Sequence, residues 1–276
     1  MAILDADFQY MPEGHTFADV SGFEPIRMGN LEISITEDPE VIYAAQQLRY
    51  EVFYEEGNAT PSSSAKIMRL DRDRFDAVAE HLVVIDHDHA EGEKVVGTYR
   101  LLRKTHANKL GGFYTSHEYD IGALVGTGKN LLELGRSCVH RDYRNKKVMD
   151  LLWRGLAEYV LQYDIDFMFG CASFQGVEID RYRETLSYLH HFHMARMEIR
   201  PRALPNQYVP MNWMPMEEID PKRAIKAAPP LIKGYLRAGA VVGDGAVVDQ
   251  QFDTTDICII VETERMSNRY KKHYIK

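Results

Sequence analysis

Four cations, Arg141, Arg144, Lys146 and Lys147, fall within seven residues of the stretch Val139-His-Arg-Asp-Tyr-Arg-Asn-Lys-Lys-Val-Met-Asp-Leu-Leu152. After them Val148, Leu151, Leu152, Leu156, Tyr159, Val160 and Tyr163 recur every three or four residues, so the cations gather at the N-terminus of an amphipathic helix. That end of a helix is already partly positive, and each cation there opposes the dipole by roughly 0.3–1 kcal/mol. An anion would reconcile the pattern: first-turn N–H groups can donate to a phosphate while the side chains attract it from a distance. The competing account is a solvated basic turn.

Other apparent signals fail on spacing. Gly122-Ala-Leu-Val-Gly-Thr-Gly-Lys-Asn130 approaches a phosphate-binding loop, but Asn130 replaces the hydroxyl residue and a strand pattern follows where a helix is required. His87, His89, His190, His191 and His193 lack H-E-x-x-H or cysteine-paired spacing, so no metal is expected. Cys138, Cys171 and Cys258 each lie in an apolar run and read as core residues rather than nucleophiles.

The elements that must position this chemistry alternate between two periods. Residues 1–29 carry no sustained period and read as an N-terminal arm. Leu31–Thr36 alternates as a half-buried strand, and Asp38-Pro39 caps a helix built on Val41, Ile42, Ala45, Leu48, Val52 and Phe53. Residues 57–65 are turn-rich and read as a mobile loop. His81–Asp86 and Val95–Leu102 form an antiparallel hairpin, residues 104–130 are glycine-rich without an assignment, and 130–140 is a strand whose alternation breaks at Gly135, suggesting a bulge. The helix from Asn145 follows, then a buried strand over Asp166–Ser173 and a helix to about His193. Seven of the eleven prolines lie between 201 and 230. A helix over Pro230–Arg237 and strands near 245–249 and 256–262 complete the chain.

This order defines an α/β protein. With 276 residues, 45% of them hydrophobic and 27% charged, disorder and collagen-like structure are excluded, and no apolar run approaches the roughly 20 residues of a membrane span. Lys and Arg total 33 against 41 Asp and Glu, a net charge of −8, so wrapping by nucleic acid is not expected. Three cysteines and an N-terminus without a secretion signal point to a reducing, cytoplasmic setting.

The basic segment resembles the donor-binding segment of the GNAT N-acyltransferase superfamily, V-x-x-x-Y-R-G-K-G-x-G-x-x-L-L. Val139, Tyr143, Arg144, Lys146, Leu151 and Leu152 fall in register, while Asn145, Lys147 and Met149 replace the glycines. Without them a diphosphate cannot approach the backbone closely. The resemblance therefore implies an acyl chain on the single phosphate of a phosphopantetheine arm of acyl carrier protein, with no tightly bound cofactor. Leu48-Arg-Tyr-Glu-Val-Phe53, Asp73-Arg-Phe-Asp76 with His81-Leu82, Gly97–Leu102 and Glu133-Leu-Gly-Arg-Ser-Cys-Val139 are similar to successive motifs of acyl-homoserine-lactone synthases. Pro229–Ala240 and Phe252-Asp-Thr-Thr-Asp256 instead resemble the sister family of ornithine N-acyltransferases, the hemolysin-like enzymes of ornithine-lipid synthesis.

The resemblance implies a GNAT-like acyltransferase fold, a central mixed sheet flanked by helices, over residues 30–264, with 201–240 as a proline-rich elaboration. It also implies transfer of a 3-hydroxyacyl chain from carrier protein to the α-amine of ornithine. Glu133 is then the general base, directly or through water, or else a structural partner of Arg136 or Arg100. The N–H groups of Ser137 or Cys138, freed by a bulge, are candidates for the thioester oxygen. Asp73 and Asp76 match an acidic pair near the amine substrate, against the alternative of a solvated acidic turn. Arg49 and Arg100 either meet the substrate carboxylate or anchor those aspartates. Phe53 lines the acyl channel or simply packs in the core. Val139, Arg141, Arg144, Lys146 and Lys147 hold the donor.

The basic tail, 265–276, has a composition able to touch an anionic membrane surface, although a frayed terminus is the simpler account. Two rival readings remain: another N-acyl amino-acid or acyl-homoserine-lactone synthase on the same scaffold, and a non-catalytic GNAT-like binding module.

Overall fold

The computed structural model describes residues 22–266. Ten strands occur among them: β1 (Ile26–Met28), β2 (Leu31–Thr36), β3 (Glu80–Asp86), β4 (Lys94–Arg103), β5 (Tyr119–Asp120), β6 (Leu131–Val139), β7 (Phe167–Gln175), β8 (Arg202–Ala203), β9 (Val241–Asp249) and β10 (Thr254–Glu262). The α-helices are α1 (Pro39–Tyr50), α2 (Ser63–Met68), α3 (Lys104–Ala107), α4 (Gly122–Val125), α5 (Lys146–Gln162), α6 (Arg183–His193), α7 (Pro221–Ala227) and α8 (Pro230–Ala238). The described residues divide into two compact units, one of 22–56, 61–112 and 135–162, the other of 57–60, 113–134 and 163–266.

In the first unit β1 to β4 form an antiparallel meander, and β4 is followed by the 135–139 half of β6. β1 lies in the stretch read as an arm and forms a hairpin with β2. Asp38 caps α1 by accepting from the Glu40 N–H, with Pro39 at the first helical position. Helix α5 packs on β2, β3 and β4. Gly155 permits that approach, because a Cβ there would sit 2.5 Å from Ile33 Cδ1. Ala45, Leu48, Val83, Val95 and Cys138 form one buried cluster of this unit.

The second unit carries the mixed sheet. β6 runs parallel to β7 through Leu131–Phe167, Leu132–Met168 and Glu133–Phe169. β7 pairs antiparallel with β10 over its whole length, β10 with β9, and β8 and β5 follow. Gly170 is required beside β6: a Cβ would lie 2.2 Å from the Leu134 carbonyl oxygen, at a φ of 159°. Helix α6 packs on β9, and α8 on β7 and β10.

Three local readings need correction. The segment 57–65 is not loop throughout, because Ser62 accepts from the Ala65 N–H and starts α2. Val52 and Phe53 belong to a π-helical turn, Glu51–Glu56, which continues α1. The irregularity in β6 falls on Arg136, whose φ is 49°, and not on Gly135, where a Cβ would meet nothing closer than 3.9 Å. Of the basic tail, 267–276 lies outside the described residues, as does 1–21 of the arm.

Candidate active site

Alternating charges in Asp71-Arg-Asp73-Arg-Phe-Asp76 build a charged network within the first unit. Asp73 caps the single 3-10 turn Arg74–Ala77, and Asp76, three residues on, accepts from the Asp73 N–H at 2.7 Å. The reciprocal cap fixes both carboxylates. Arg49, 1% exposed on α1, donates 2.5 and 3.0 Å bonds to the two oxygens of Asp76 and a 2.6 Å bond to Asp71. Arg100 on β4 donates to Asp73 at 2.6 Å and to Asp76 at 3.4 Å. Arg136 reaches Asp71 and Asp73, each at 3.2 Å. Three guanidiniums thus interlock with three carboxylates.

The electrostatics follow from burial and pairing. Burial alone would raise the carboxyl pKa values, but Arg49 with Arg100 holds Asp76, and Arg49 with Arg136 holds Asp71, below the usual carboxylate range. Tyr54 donates to Asp71, and burial with that carboxylate drives its hydroxyl pKa far up. His81, fully buried with its ring 3.3 Å from the Asp76 carbonyl, is pushed down by desolvation. Arg49 and Arg100 therefore anchor the aspartates. Asp76 faces inward with both oxygens engaged, and Asp73, whose two oxygens accept from Arg100 and Arg136, keeps 24% side-chain exposure.

The positive φ of Arg136 is held by these ion pairs. A non-glycine residue in the left-handed region costs about 1–2 kcal/mol, which the charged hydrogen bond to Asp73 and the ion pair with Asp71 can offset. Ser137 next to it is half-buried. Cys138 lies in the buried cluster, with Phe53 packed against it. Burial pushes the Cys138 thiol well up, which removes it as a thiolate nucleophile at neutral pH.

The start of α5 departs from the simple anion-binding expectation. Asn145, at the place of a family glycine, accepts from the N–H groups of Lys147 and Val148 at 3.0 and 3.3 Å and so uses two of the donors expected for a phosphate. Glu56, 10% exposed in its side chain, pairs with Arg141 at 3.2 Å and Arg144 at 2.5 Å. Its carboxyl is held below its ordinary value by those two arginines against the opposing effect of burial. Lys146 and Lys147 stay exposed. Arg144 also donates to the carbonyl of the buried Val139, and Tyr143 donates to Asp86, with its own hydroxyl pushed up to about 12 mainly by burial and that bond.

Glu133 belongs to the second unit. It is 4% exposed, and its carboxylate accepts 2.9 and 2.6 Å bonds from the N–H groups of Tyr114 and Thr115. The neighbouring Phe113 packs edge-on against Phe169, the β7 partner of Glu133. The sequence reading missed this main-chain cradle and Glu56, because both depend on pairings distant along the chain. Asp71 was within reach, since it continues the Asp/Arg alternation.

A family model for the GNAT acetyltransferase domain matches residues 48–154, which contain the aspartate–arginine network, Glu133 and the start of α5. The class is therefore GNAT-type acyltransferase. The chain is 47% identical over 281 residues to the L-ornithine N(alpha)-acyltransferase of Rhizobium meliloti (strain 1021), covering 99% of this chain and 93% of that one. It is 46% identical over 252 residues to the enzyme of the same name from Brucella abortus (strain 2308), covering 90% of each. The chain belongs to this family of L-ornithine N(alpha)-acyltransferases. It is also similar to the structure of FeeM, an N-acyl amino acid synthase from uncultured soil microbes, with 12% identity, a TM-score of 0.48, and coverage of 89% of this chain and 96% of that one.

Proposed function

We propose that this protein transfers a 3-hydroxyacyl group from acyl carrier protein to the α-amine of ornithine, forming lyso-ornithine lipid. The observation that carries the reading is the 47% identity, sustained over 99% of the chain, to a relative named for ornithine Nα-acylation. The α-nitrogen attacks the thioester carbonyl, the C–N bond forms, and the C–S bond breaks. The nitrogen's proton passes to Glu133, directly or through water, and the departing pantetheine sulfur ends as a thiol.

Each remaining part has a candidate. The N–H groups of Ser137 and Cys138, which follow the left-handed turn at Arg136, stabilise the oxyanion, a contribution of about 3–4 kcal/mol for one donor in comparable sites. A thiol of ordinary pKa near 8.5 leaves without a strong acid, so none is assigned. Lys146 and Lys147, exposed and preceded by two arginines already paired with Glu56, attract the acidic carrier and the phosphate of its arm.

No described helix is long and apolar enough to cross a membrane. We place the reaction in the cytoplasm, with the basic tail making peripheral contact with an anionic bilayer where the lipid product leaves; sedimentation with anionic liposomes tests that contact. The main test is mass spectrometry of products from 3-hydroxyacyl carrier protein and an equimolar panel of amino acids. Acyl-ornithine as the dominant product is expected. Acyl-glutamine or a lactone would refute the acceptor, and no product with any acceptor would favour a binding module.

A further inference from the structure

The network around Asp73 and Asp76 offers no open acidic pair to a second ammonium group, yet an acceptor such as ornithine carries one. A different acidic group exists in the second unit. Carboxylate oxygens of Glu118, Asp249 and Asp256 all lie within 4.8 Å of one another. Glu118 and Asp256 are 8% and 5% exposed, and Asp249 is half-buried. One oxygen of Asp249 accepts from the N–H groups of Gln251 and Phe252 at 2.8 and 2.9 Å, and three carboxylates so close repel one another to an extent that donors, protons or a cation must offset.

An independent feature points to a ligand there. Thr254 is 6% exposed, and its hydroxyl oxygen has no hydrogen-bond partner among the described residues. Thr254 stands directly opposite Asp249 in the β9–β10 register and two residues before Asp256, so all three side chains leave the same sheet face. Buried hydroxyls are rarely left unsatisfied without a reason.

The cluster lies close to the proposed base. Thr115 donates its N–H to Glu133 at 2.6 Å, and its hydroxyl lies 3.9 Å from the Cys171 sulfur. Glu118 and Asp256 both help raise the Cys171 thiol, and Glu118 and Glu133 both help raise that of Cys258, in each case after burial. The fields of the cluster and of Glu133 thus converge on the same buried thiol.

We propose that Glu118, Asp249 and Asp256, with the Thr254 hydroxyl, seat the side-chain ammonium of the acceptor and so select a diamino acid. The assignment rests on the ornithine reading above. An ammonium donates up to three hydrogen bonds, which matches three carboxylates, and the hydroxyl adds a fourth oxygen. The same oxygen set would also accept a hard divalent cation, which the test must separate.

Asp249→Asn and Asp256→Asn enzymes should be assayed with ornithine and with norvaline, which lacks only the terminal ammonium. The expected result is a fall of tenfold or more in the ornithine-to-norvaline ratio of kcat/KM, arising mainly in the ornithine KM. Equal losses for both acceptors, or an unchanged ratio, would overturn the proposal. Asp249 is half-buried, so its variant covers the case in which Asp256→Asn does not fold. Calorimetric titration with ornithine reads the seat without turnover. Weaker binding by the variants supports it even if acyl transfer fails, which would count against the ornithine-acylation reading alone. Unchanged binding, or tight Mn2+ binding by the wild type that the variants lose without any change in ornithine affinity, sinks it.

Discussion

Arg49 clamps Asp76 with two parallel N–H···O bonds of 2.5 and 3.0 Å, joining α1 to the turn before β3 across 27 residues of sequence. Both side chains are buried. A pair of this kind is weak evidence for stability when intact, because desolvation opposes the attraction, but removing one partner leaves a charge stranded. Asp76→Ala is accordingly expected to destabilise the protein by about 3–5 kcal/mol, measured by denaturant unfolding. A loss below about 1 kcal/mol would mean that the clamp is not formed.

Arg136 combines a left-handed backbone with contacts to Asp71 and Asp73. Arg136→Ala loses the contacts and keeps the backbone penalty, whereas Arg136→Gly loses the contacts and relieves it. The glycine variant should be the more stable of the two by about 1 kcal/mol in unfolding experiments. The reverse order would place the β6 irregularity elsewhere.

Stability should fall with acid in two windows. His81 and His106 have folded pKa values below the ordinary 6.5, His106 at about 4, chiefly through burial. Their unfolded forms take up protons first, so this contribution is complete above 6.5 and fades as pH falls toward 4. Asp71 and Asp76 are depressed below 3.8 by their arginines, so their contribution holds above that value and is lost below it. Urea unfolding between pH 8 and pH 3 checks both windows. Stability flat from pH 7 to pH 4.5 would contradict the histidine part.

Lys146→Glu combined with Lys147→Glu should raise KM for acyl carrier protein about tenfold at low ionic strength, with the difference shrinking in added salt. Both side chains are exposed, so stability should change by no more than about 0.5 kcal/mol. A salt-independent loss, or none, would remove them from carrier docking.

Glu133→Gln should lower kcat by about 100-fold or more if the carboxylate is the base. The amide also loses one acceptor from the Tyr114 and Thr115 cradle, so the variant must be compared with wild type by circular dichroism and melting. Normal turnover by a folded variant would leave Glu133 a structural brace of the 113–115 turn.

Much of this architecture could be read from local pattern. The Asp38-Pro39 start of α1, the alternation of β2, the β3–β4 hairpin and the apolar stripe of α5 each arise within a few residues, where period and capping chemistry dominate. What escaped depends on distant partners. Gly135 looked like the bulge because glycine tolerates positive φ, but the left-handed residue is Arg136, beside two aspartates more than sixty residues earlier. Asn145 looked like a lost glycine and is a helix cap. The acidic pair was legible as residues, but its pairing with Arg49 and Arg100 followed only once α1 and β4 were in place.

All of the preceding roles presuppose the proposed transfer from a carrier-tethered thioester to the α-nitrogen of ornithine. The most direct measurement is a single-turnover reaction of the purified protein with ornithine and either 3-hydroxyacyl carrier protein or the matching coenzyme A ester at equal concentration, with the product's acylated nitrogen located by tandem mass spectrometry. Nα-acylornithine is expected, formed far faster from the carrier protein than from the coenzyme A ester. Acylation on the side-chain nitrogen, or equal rates from both donors, would contradict that transfer.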